Sequence, residues 1–561
     1  LPPILPKGEL AALDTELFGM EKKRLHRPGG TLACLSVCVG DDVWQVYSEK
    51  DIAAAMRRMK LAEQVWQKGD FDFRQLRARG IPVKPDRYWD TMYVEQCLFN
   101  NYYSHFGLDS LSRRWLQRQL DKESRELFYE ADRMTREMQR YAARDAWTTY
   151  HVAQAQKAYV KGNRLDGLVE RSWYETDMPM VWVVQDMMGV CIDQGEWGRI
   201  ADEQEAIMER SLSELDYNPG SPKDVGARLV AEGIRLPKTK TGQPSTAEEH
   251  IAPYADKSET VRQVLEYRGA QKFAGTYGRN FFAFVEADKR IHAGWIIIGT
   301  ETFRLACELP NLQNIPKRDA VWGPRYRRAF IPAKGNAYVK TDYVQCQVAV
   351  MAQVSDDKPF KEAFENHLDV HTANASWMFG VSIGEVTPEQ RRAAKGTTFG
   401  IIFNEGAGLL AANVGTTRRK AQEFIDGFMR THWGYAQWKR EQLRSPDDFV
   451  TGPGGHRIWV NPYVGKHADN NRLNSPIQEG EGAIHKRAAW KLHEKWNPAW
   501  GPFGLALLVH DEMVVEVPRA YAKACARLVE QCALEAEREV LPDVRPAADV
   551  EICKNWYGDK A

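Results

Sequence analysis

Several things that would have narrowed the class of this sequence are missing from it. It does not begin with Met. Its opening stretch, LPPILPKGEL, lacks the basic-then-apolar layout of a signal peptide, so the chain reads as a processed or trimmed piece of something longer. No apolar run approaches the ~18 residues that a membrane-spanning helix needs, and no membrane partner is expected. The nine cysteines include no Cys-x-x-Cys pair, and Cys34 and Cys38 have no His or Cys cluster beside them. Reduced core thiols in a cytosolic protein are expected rather than a zinc site. The net charge is +0, so a nucleic-acid binder of this composition must gather its cations locally. Two places do so: Lys317, Arg318, Arg325, Arg327 and Arg328, and Arg418, Arg419 and Lys420. Each is either a phosphate-binding patch or a solvated charged face. No internal repeat or low-complexity tract is present.

What is present is a chain of 561 residues, 43% hydrophobic and 27% charged, ordinary for a globular protein and too long for one core. Two to four domains are expected. Residues 1 to about 155 read as mixed α/β: a short strand at Leu10–Glu16, a hairpin from Thr31–Val39 and Asp42–Tyr47, then helical patterns at Asp51–Arg58 and Asp121–Tyr159. Residues 165 to 285 are mostly helical, broken at Pro219–Pro222 and Lys238–Ser245; from 290 onward strands and helices alternate.

Asp14 and Glu16 lie two apart on a predicted strand and so share one face. Acidic residues are poor strand formers. Divalent metal binding would explain two of them on one face, because hard oxygen ligands around a cation offset the repulsion. Further along, GDFDFRQL offers Asp72 at a strand or helix start, with Asp70 as a competitor. YAARD then places Tyr141 and Asp145 on one helical face.

A second carboxylate set lies near the C-terminus. In NAYVKTDYVQCQVAVMAQVSDD an apolar-flanked strand ends at Asp342 and a helix follows. In LALLVHDEMVVEVP two apolar strand halves flank His510, Asp511 and Glu512, which predicts a tight hairpin with carboxylates at its tip. That tip has none of the usual Gly or Asn of such a turn, a departure that functional sites tolerate. Between the two segments, RRAAKGTTFGIIF carries Arg391, Lys395, Phe399 and Phe403 at successive i+4 steps. On a helix this is a row of roughly 18 Å running from two cations to two aromatics. A nucleoside triphosphate has the same polarity, phosphates at one end and a flat base at the other. The plainer reading is a basic first turn followed by core aromatics, but a basic start opposes the helix dipole.

In this order, these segments resemble the three exonuclease motifs and the polymerase motifs A, B and C of the bacterial DNA polymerase I family (family A). LPNLQNIP (Leu309–Pro316), the stretch Ser221–Tyr277, DVHTANASWMFG, NRLNSPIQEGEGAIHKRAA and the late Asn555-Trp556 extend the likeness to about 90% of the chain. The resemblance implies a multidomain α/β and α+β protein, an RNase H-like exonuclease domain followed by a right-hand polymerase. The implied boundaries are residues 1–160 for the 3′–5′ exonuclease, 161–290 for the thumb, 291–384 for the first part of the palm, 385–445 for the fingers, and 446–561 for the rest of fingers and palm. It implies a template-directed DNA polymerase with proofreading, acting on primer–template DNA and deoxynucleoside triphosphates. Two Mg²⁺ ions are implied in each site, with Mn²⁺ able to substitute: Asp14, Glu16, Asp72 and Asp145 would hold one pair, Asp342 and Asp511 the other. Tyr141 would orient the attacking water, and Glu512 would support the polymerase centre. Arg391 and Lys395 would bind phosphates, and Phe399, Phe403, Gln347 and His371 would line the nucleotide site. Arg304, Gln313, Asn474, Gln478 and His510 would contact primer or template.

The sequence departs from the family pattern at several positions. Lys68 stands where the second exonuclease motif has Asn. Gln347 replaces the usual Glu of motif A, and Ala349 an Arg near its end. Phe403 and Asn404 replace Tyr and Gly in motif B, and Asn470 replaces an Arg upstream of Asn474. Gln347 and Phe403 are expected to be one coupled change, since a Glu deprived of the Tyr hydroxyl would be a buried unpaired charge. No metal ligand is lost. The alternatives are a single-subunit RNA polymerase-like enzyme, against which the exonuclease motifs speak, and an exonuclease with an inactive DNA-binding polymerase body, against which the retained carboxylates speak. With Asp14 already in the proofreading domain, no 5′-nuclease domain is expected in this sequence. No long thumb insertion for a processivity partner is seen. A compact phage-type enzyme acting in the host cytoplasm is the expected source.

Overall fold

The computed structural model describes residues 1–21, 26–120, 123–317, 319–460 and 466–561. The N-terminal region is built on a five-stranded sheet. Its strands are β1 (Leu10–Phe18), β2 (Thr31–Val39), β3 (Asp42–Val46), β4 (Glu63–Trp66) and β5 (Tyr88–Asp90), in the order β3-β2-β1-β4-β5. The first three are antiparallel, and β4 and β5 join parallel through helical crossovers. The predicted hairpin is therefore present. β1 runs two residues beyond its predicted end and shifts register between Glu16 and Leu17. Helix α1 (Gly69–Ala78) leaves the end of β4, its first amides taken by the Asp90 carboxylate, Gly69 N at 2.8 Å. The single helix expected over 121–159 is two. A short one covers Glu123–Glu130, and α2 (Arg136–Gly162) starts afresh at Thr135, whose hydroxyl accepts from the Met138 amide. Capping of this kind supplies a partner for an otherwise orphaned first-turn amide.

The next region is helical, as expected. α3 (Gln194–Glu214) and α4 (Glu259–Tyr277) pack together, and beyond them a small separate core forms from Val225, Leu229, Ile251, Val261 and Val264. The break at Pro219–Pro222 ends with Pro222 as the first residue of a helix capped by Ser221, a position where a missing N–H costs nothing.

The C-terminal half rests on a four-stranded antiparallel sheet made of β6 (Asn336–Tyr343), β7 (Leu505–Val509), β8 (Glu512–Pro518) and β9 (Ala548–Cys553), in the order β7-β8-β6-β9. Nearly every residue of β7 and β8 is buried, as continuous apolar runs of this length require. From β6 the chain enters α5 (Cys346–Ser355), then α6 (Val370–Phe379) and α7 (Pro388–Ile402), and returns through α8 (Lys466–Lys495) and α9 (Ala522–Val540). Among the described residues no helix is long and apolar enough to cross a membrane. The cysteines are free and, Cys191 apart, buried.

Three cations of the dense basic run are engaged by acids of the chain itself. Arg325 pairs with Glu196 and Glu203, Arg328 with Asp559, and Arg327 is buried against Glu512 and over the Trp556 ring. Arg318 lies outside the described residues. In the second run Arg419 pairs with Glu423 one turn on.

Candidate functional site

Two carboxylate centres form, in different regions. In the first, Asp14 and Glu16 sit on β1 opposite Ser36 and Cys34 of β2. α2 crosses β1 and β2 and brings Tyr141 and Asp145 to them. Tyr141 is hydrogen-bonded to Asp145, and its phenol is pushed well above its usual range by burial and by the nearby Asp145, Glu16 and Asp14. The Cys34 thiol is raised in the same way by burial, Glu16 and Asp14. Four of the five expected residues are thus gathered. Asp72 meets β1 edge-on: its Oδ1 accepts from the Thr15 amide at 3.0 Å and the Thr15 hydroxyl at 2.5 Å. Burial pushes its carboxyl up to about 7. Asp70 is engaged elsewhere, accepting from the Tyr93 hydroxyl at 2.9 Å and facing Arg74. Of the two acids, Asp72 is the one hydrogen-bonded to β1. Lys68, at the position of the family's Asn, takes a left-handed φ of 59° at the helix entry.

In the second centre, Asp342 lies near the end of β6, and its register partner on β8 is Glu512. The hairpin tip is shorter than the three residues expected. It consists of His510 and Asp511, with His510 exposed and in the left-handed region at φ 55°. Glu512 already belongs to β8 and is buried. It accepts from Trp556 Nε1 at 2.9 Å and Arg327 at 3.3 Å, with Lys340 at 3.9 Å. It ties the sheet together and is not at the tip. Burial and the adjacent Asp511 push the Asp342 carboxyl up to about 6, with Lys317 partly offsetting them. A carboxylate disfavoured as an anion by burial and a neighbouring acid belongs to a donor set suited to a divalent cation.

α7 begins a full turn before Arg391, with Pro388 at N1, Glu389 in the first turn, and a capping box between Thr387 and Gln390. The expected conflict between a basic start and the helix dipole does not arise. Arg391 is ion-paired to Asp369, the N-cap of α6. Lys395 reaches over the Phe399 ring at 5.8 Å, and Phe399 and Phe403 stack at 6.0 Å, with Phe403 just past the helix as its C-cap. His371 is buried against Phe399 with neither ring nitrogen partnered among the described residues, and burial drives its pKa down to about 4.

Of the expected primer or template contacts, Gln313 is spent on backbone, donating to the Leu508 carbonyl at 3.2 Å beside the hairpin tip. Gln478 Oε1 accepts from Arg304 and Thr302, both at 3.4 Å. Asn474 Oδ1 is buried without a partner among the described residues. Gln347, expected to be coupled with Phe403, donates through its Nε2 to Glu481 at 3.0 Å. Two further departures pair directly. Asn404, in the left-handed conformation at φ 64° that suits Gly or Asn, donates to Asn470 at 2.9 Å.

Three groups near these centres were not read from the sequence. Glu481 is one. His485, on α8, is buried beside Asp511 and His510, and burial lowers its pKa to about 4. The third is a buried charge network, in which Asp177 accepts from Lys486 at 2.5 Å and from His456 at 3.0 Å, and His456 also contacts Glu479 at 2.6 Å. Cys97 lies close to Asp177 and His456, but both imidazole nitrogens are already engaged by carboxylates.

Two family descriptions match this chain: 3′-5′ exonuclease over residues 11–158 and DNA polymerase family A over residues 196–558. DNA polymerase I of Pseudomonas aeruginosa is 30% identical over 555 residues, covering 91% of this chain and 60% of that protein. DNA polymerase I of Bacillus subtilis is 31% identical over 411 residues, covering 69% and 46%. The chain thus spans 46–60% of the length of these relatives. Both are bacterial, and neither carries the expected phage-type source. Among solved structures, the POL domain of Pol1 from M. smegmatis, in complex with DNA primer-template and dNTP, matches with a TM-score of 0.84. That match has 24% identity and covers 98% of this chain and 96% of that one, which is a likeness of fold. With its carboxylate centres, its aromatic-basic helix and these matches, the chain belongs to DNA polymerase family A and carries a 3′–5′ exonuclease domain.

Proposed function

We propose that the chain is a template-directed DNA polymerase that adds deoxynucleotides to a primer 3′ end and removes mispaired ends by 3′–5′ hydrolysis. The observation that carries this reading is the convergence of Asp342 and Asp511, from segments far apart in sequence, at one place where burial and then the Asp511 charge raise the Asp342 carboxyl to about 6. Mutual repulsion of that kind is retained where a divalent cation relieves it. The family uses divalent metals. The residues that would hold them are Asp342 and Asp511 in one centre and Asp14, Glu16, Asp72 and Asp145 in the other, two Mg²⁺ in each, with Mn²⁺ as substitute. Bound there, the ions would activate the attacking oxygen and offset charge on the leaving one.

The chain's own residues supply positioning. Lys395, and Arg391 once drawn from Asp369, neutralise the triphosphate. Phe399 and His371 form the wall against base and sugar. Glu512 anchors the start of β8, next to Asp511, to Arg327 and Trp556 and faces Lys340 of β6. In the exonuclease centre the Tyr141 phenol, held un-ionised by burial and its acidic neighbours, orients a water toward the 3′ phosphodiester. The domain boundaries proposed are those given above, with residues 1–160 for trimming and 161–561 for synthesis. The partners are primer–template DNA and deoxynucleoside triphosphates, and the proposed place of action is the cytoplasm, in keeping with the free thiols. The test is extension of a primed template with deoxy- or ribonucleotides. Template-directed deoxynucleotide addition is expected; a preference for ribonucleotides would favour the RNA polymerase-like reading, and no addition would favour an inactive polymerase body.

A further inference from the structure

Glu481 is buried on α8, and its Oε2 accepts from Gln347 Nε2 at 3.0 Å and from the Arg304 guanidinium. Arg304 in turn donates to Gln478 Oε1 at 3.4 Å. The helix approaches this closely because glycines flank Glu481. A Cβ on Gly482 would lie 3.2 Å from Arg304 Cγ, and one on Gly480 would lie 2.7 Å from Val350. Glycine is unfavourable inside a helix, so two of them around one buried acid mark a position set by contact. Gln347 stands five residues after Asp342, at the start of α5. The chain of contacts therefore runs from the catalytic strand through Gln347 and Glu481 to Arg304.

We infer that Glu481 is a positioning residue of the polymerase centre, whose carboxylate fixes the Arg304 guanidinium against the primer end and locks it to the Asp342 segment through the Gln347 amide. This rests on the polymerase reading above. A buried acid paired this way leaves an uncompensated cation when removed. Gln347 and Arg304 both bind the same oxygen, so their donor atoms lie within about 6 Å of each other, two hydrogen-bond lengths at most. An acid moved to position 347 is thus still within reach of Arg304.

The experiment is a carboxylate–amide exchange: Glu481→Gln, Gln347→Glu and the double variant, measured for primer extension (kcat and KM for nucleotide, on matched and mispaired ends) and for trimming of single-stranded DNA. Glu481→Gln is expected to lower kcat/KM for extension at least tenfold. Gln347→Glu should also lower it, because two carboxylates now face each other. The double variant, with the hydrogen bond reversed and the charge conserved, should regain most of the loss. Trimming should be unchanged in all three. Extension by Glu481→Gln within twofold of wild type, or losses that simply add in the double variant, would overturn the inference. A wild-type chain that trims but never extends would instead sink the polymerase reading, and this inference with it.

Discussion

The two carboxylate centres are held in different ways. In the exonuclease centre Asp14 and Glu16 stand on one internal strand paired with β2, with α2 laid across them, so three acids and Tyr141 share a rigid sheet-and-helix platform. In the polymerase centre one acid sits near a strand end and the other at a two-residue turn whose His510 is in a left-handed conformation. Its supporting groups arrive from α7 and α8, helices separated in sequence from each other and from β6. A platform within one sheet needs few tertiary partners to be correct. A centre at an edge, approached by separate helices, depends on pairs such as Gln347–Glu481 and Arg391–Asp369.

If the centres are independent, the largest effects come from removing their own acids. Asp342→Ala or Asp511→Ala should stop primer extension by several orders of magnitude, because a site of this kind loses charge that its transition state needs, while trimming of single-stranded DNA continues. Residual extension above a tenth of wild type would remove that aspartate from the site. Conversely, Asp14→Ala with Glu16→Ala should abolish trimming and leave extension within about twofold, since distant sites perturb one another little. Loss of both activities in either variant would mean that the centres are not separate.

A smaller effect probes what the two regions share. The Asp177–His456–Glu479–Lys486 network links the segment following the exonuclease domain to α8, with Asp177 and Lys486 fully buried. Replacing Lys486 with Met leaves a buried carboxylate short of its cation and should cost about 3–5 kcal/mol, read by urea unfolding. Both activities should survive at low temperature. A change below 1 kcal/mol would show the network to be incidental.

The smallest effect concerns the aspartate pair itself. The Asp342 carboxyl is raised to about 6 in the folded chain from an ordinary value of 3.8. Its ionised form is therefore a cost to the metal-free fold above pH 6, a cost that fades as pH falls from 6 toward 3.8, where the folded state takes up the proton first. Asp342→Asn should accordingly raise the melting temperature of the metal-free protein slightly at pH 7–8 and lose that advantage by about pH 4. Added Mg²⁺ should stabilise wild type more than the variant. A wild-type melting temperature that falls on acidification while the variant's stays level would reverse the sign assigned to Asp342.

Much of this was legible in the sequence because it is local. The β2–β3 hairpin, the Asp342 strand and the hairpin around Asp511 follow from apolar runs and their interruptions, and the i+4 row on α7 follows from helical period. What was not legible depends on partners chosen in three dimensions. Arg325, Arg327 and Arg328 read as a cationic patch because Glu196, Glu203, Glu512 and Asp559, which neutralise them, come from three other segments. The amide of Gln347 finds Glu481, 134 residues away, a partner that no local pattern signals. The helix α7 starts one turn ahead of the basic pair, because Thr387 and Pro388 supply an ordinary cap and first residue.

The most direct measurement is extension of a primer with a mispaired 3′ end, comparing wild type with the Asp14→Ala, Glu16→Ala variant on the same template. Wild type should first shorten the primer to a paired end and then extend it to full length. The variant should stall on the mispaired end and extend a matched primer normally. If the wild-type chain extends the mispaired primer without shortening it, or if the variant also fails on the matched primer, the division of one chain into a trimming centre and a synthesising centre is wrong.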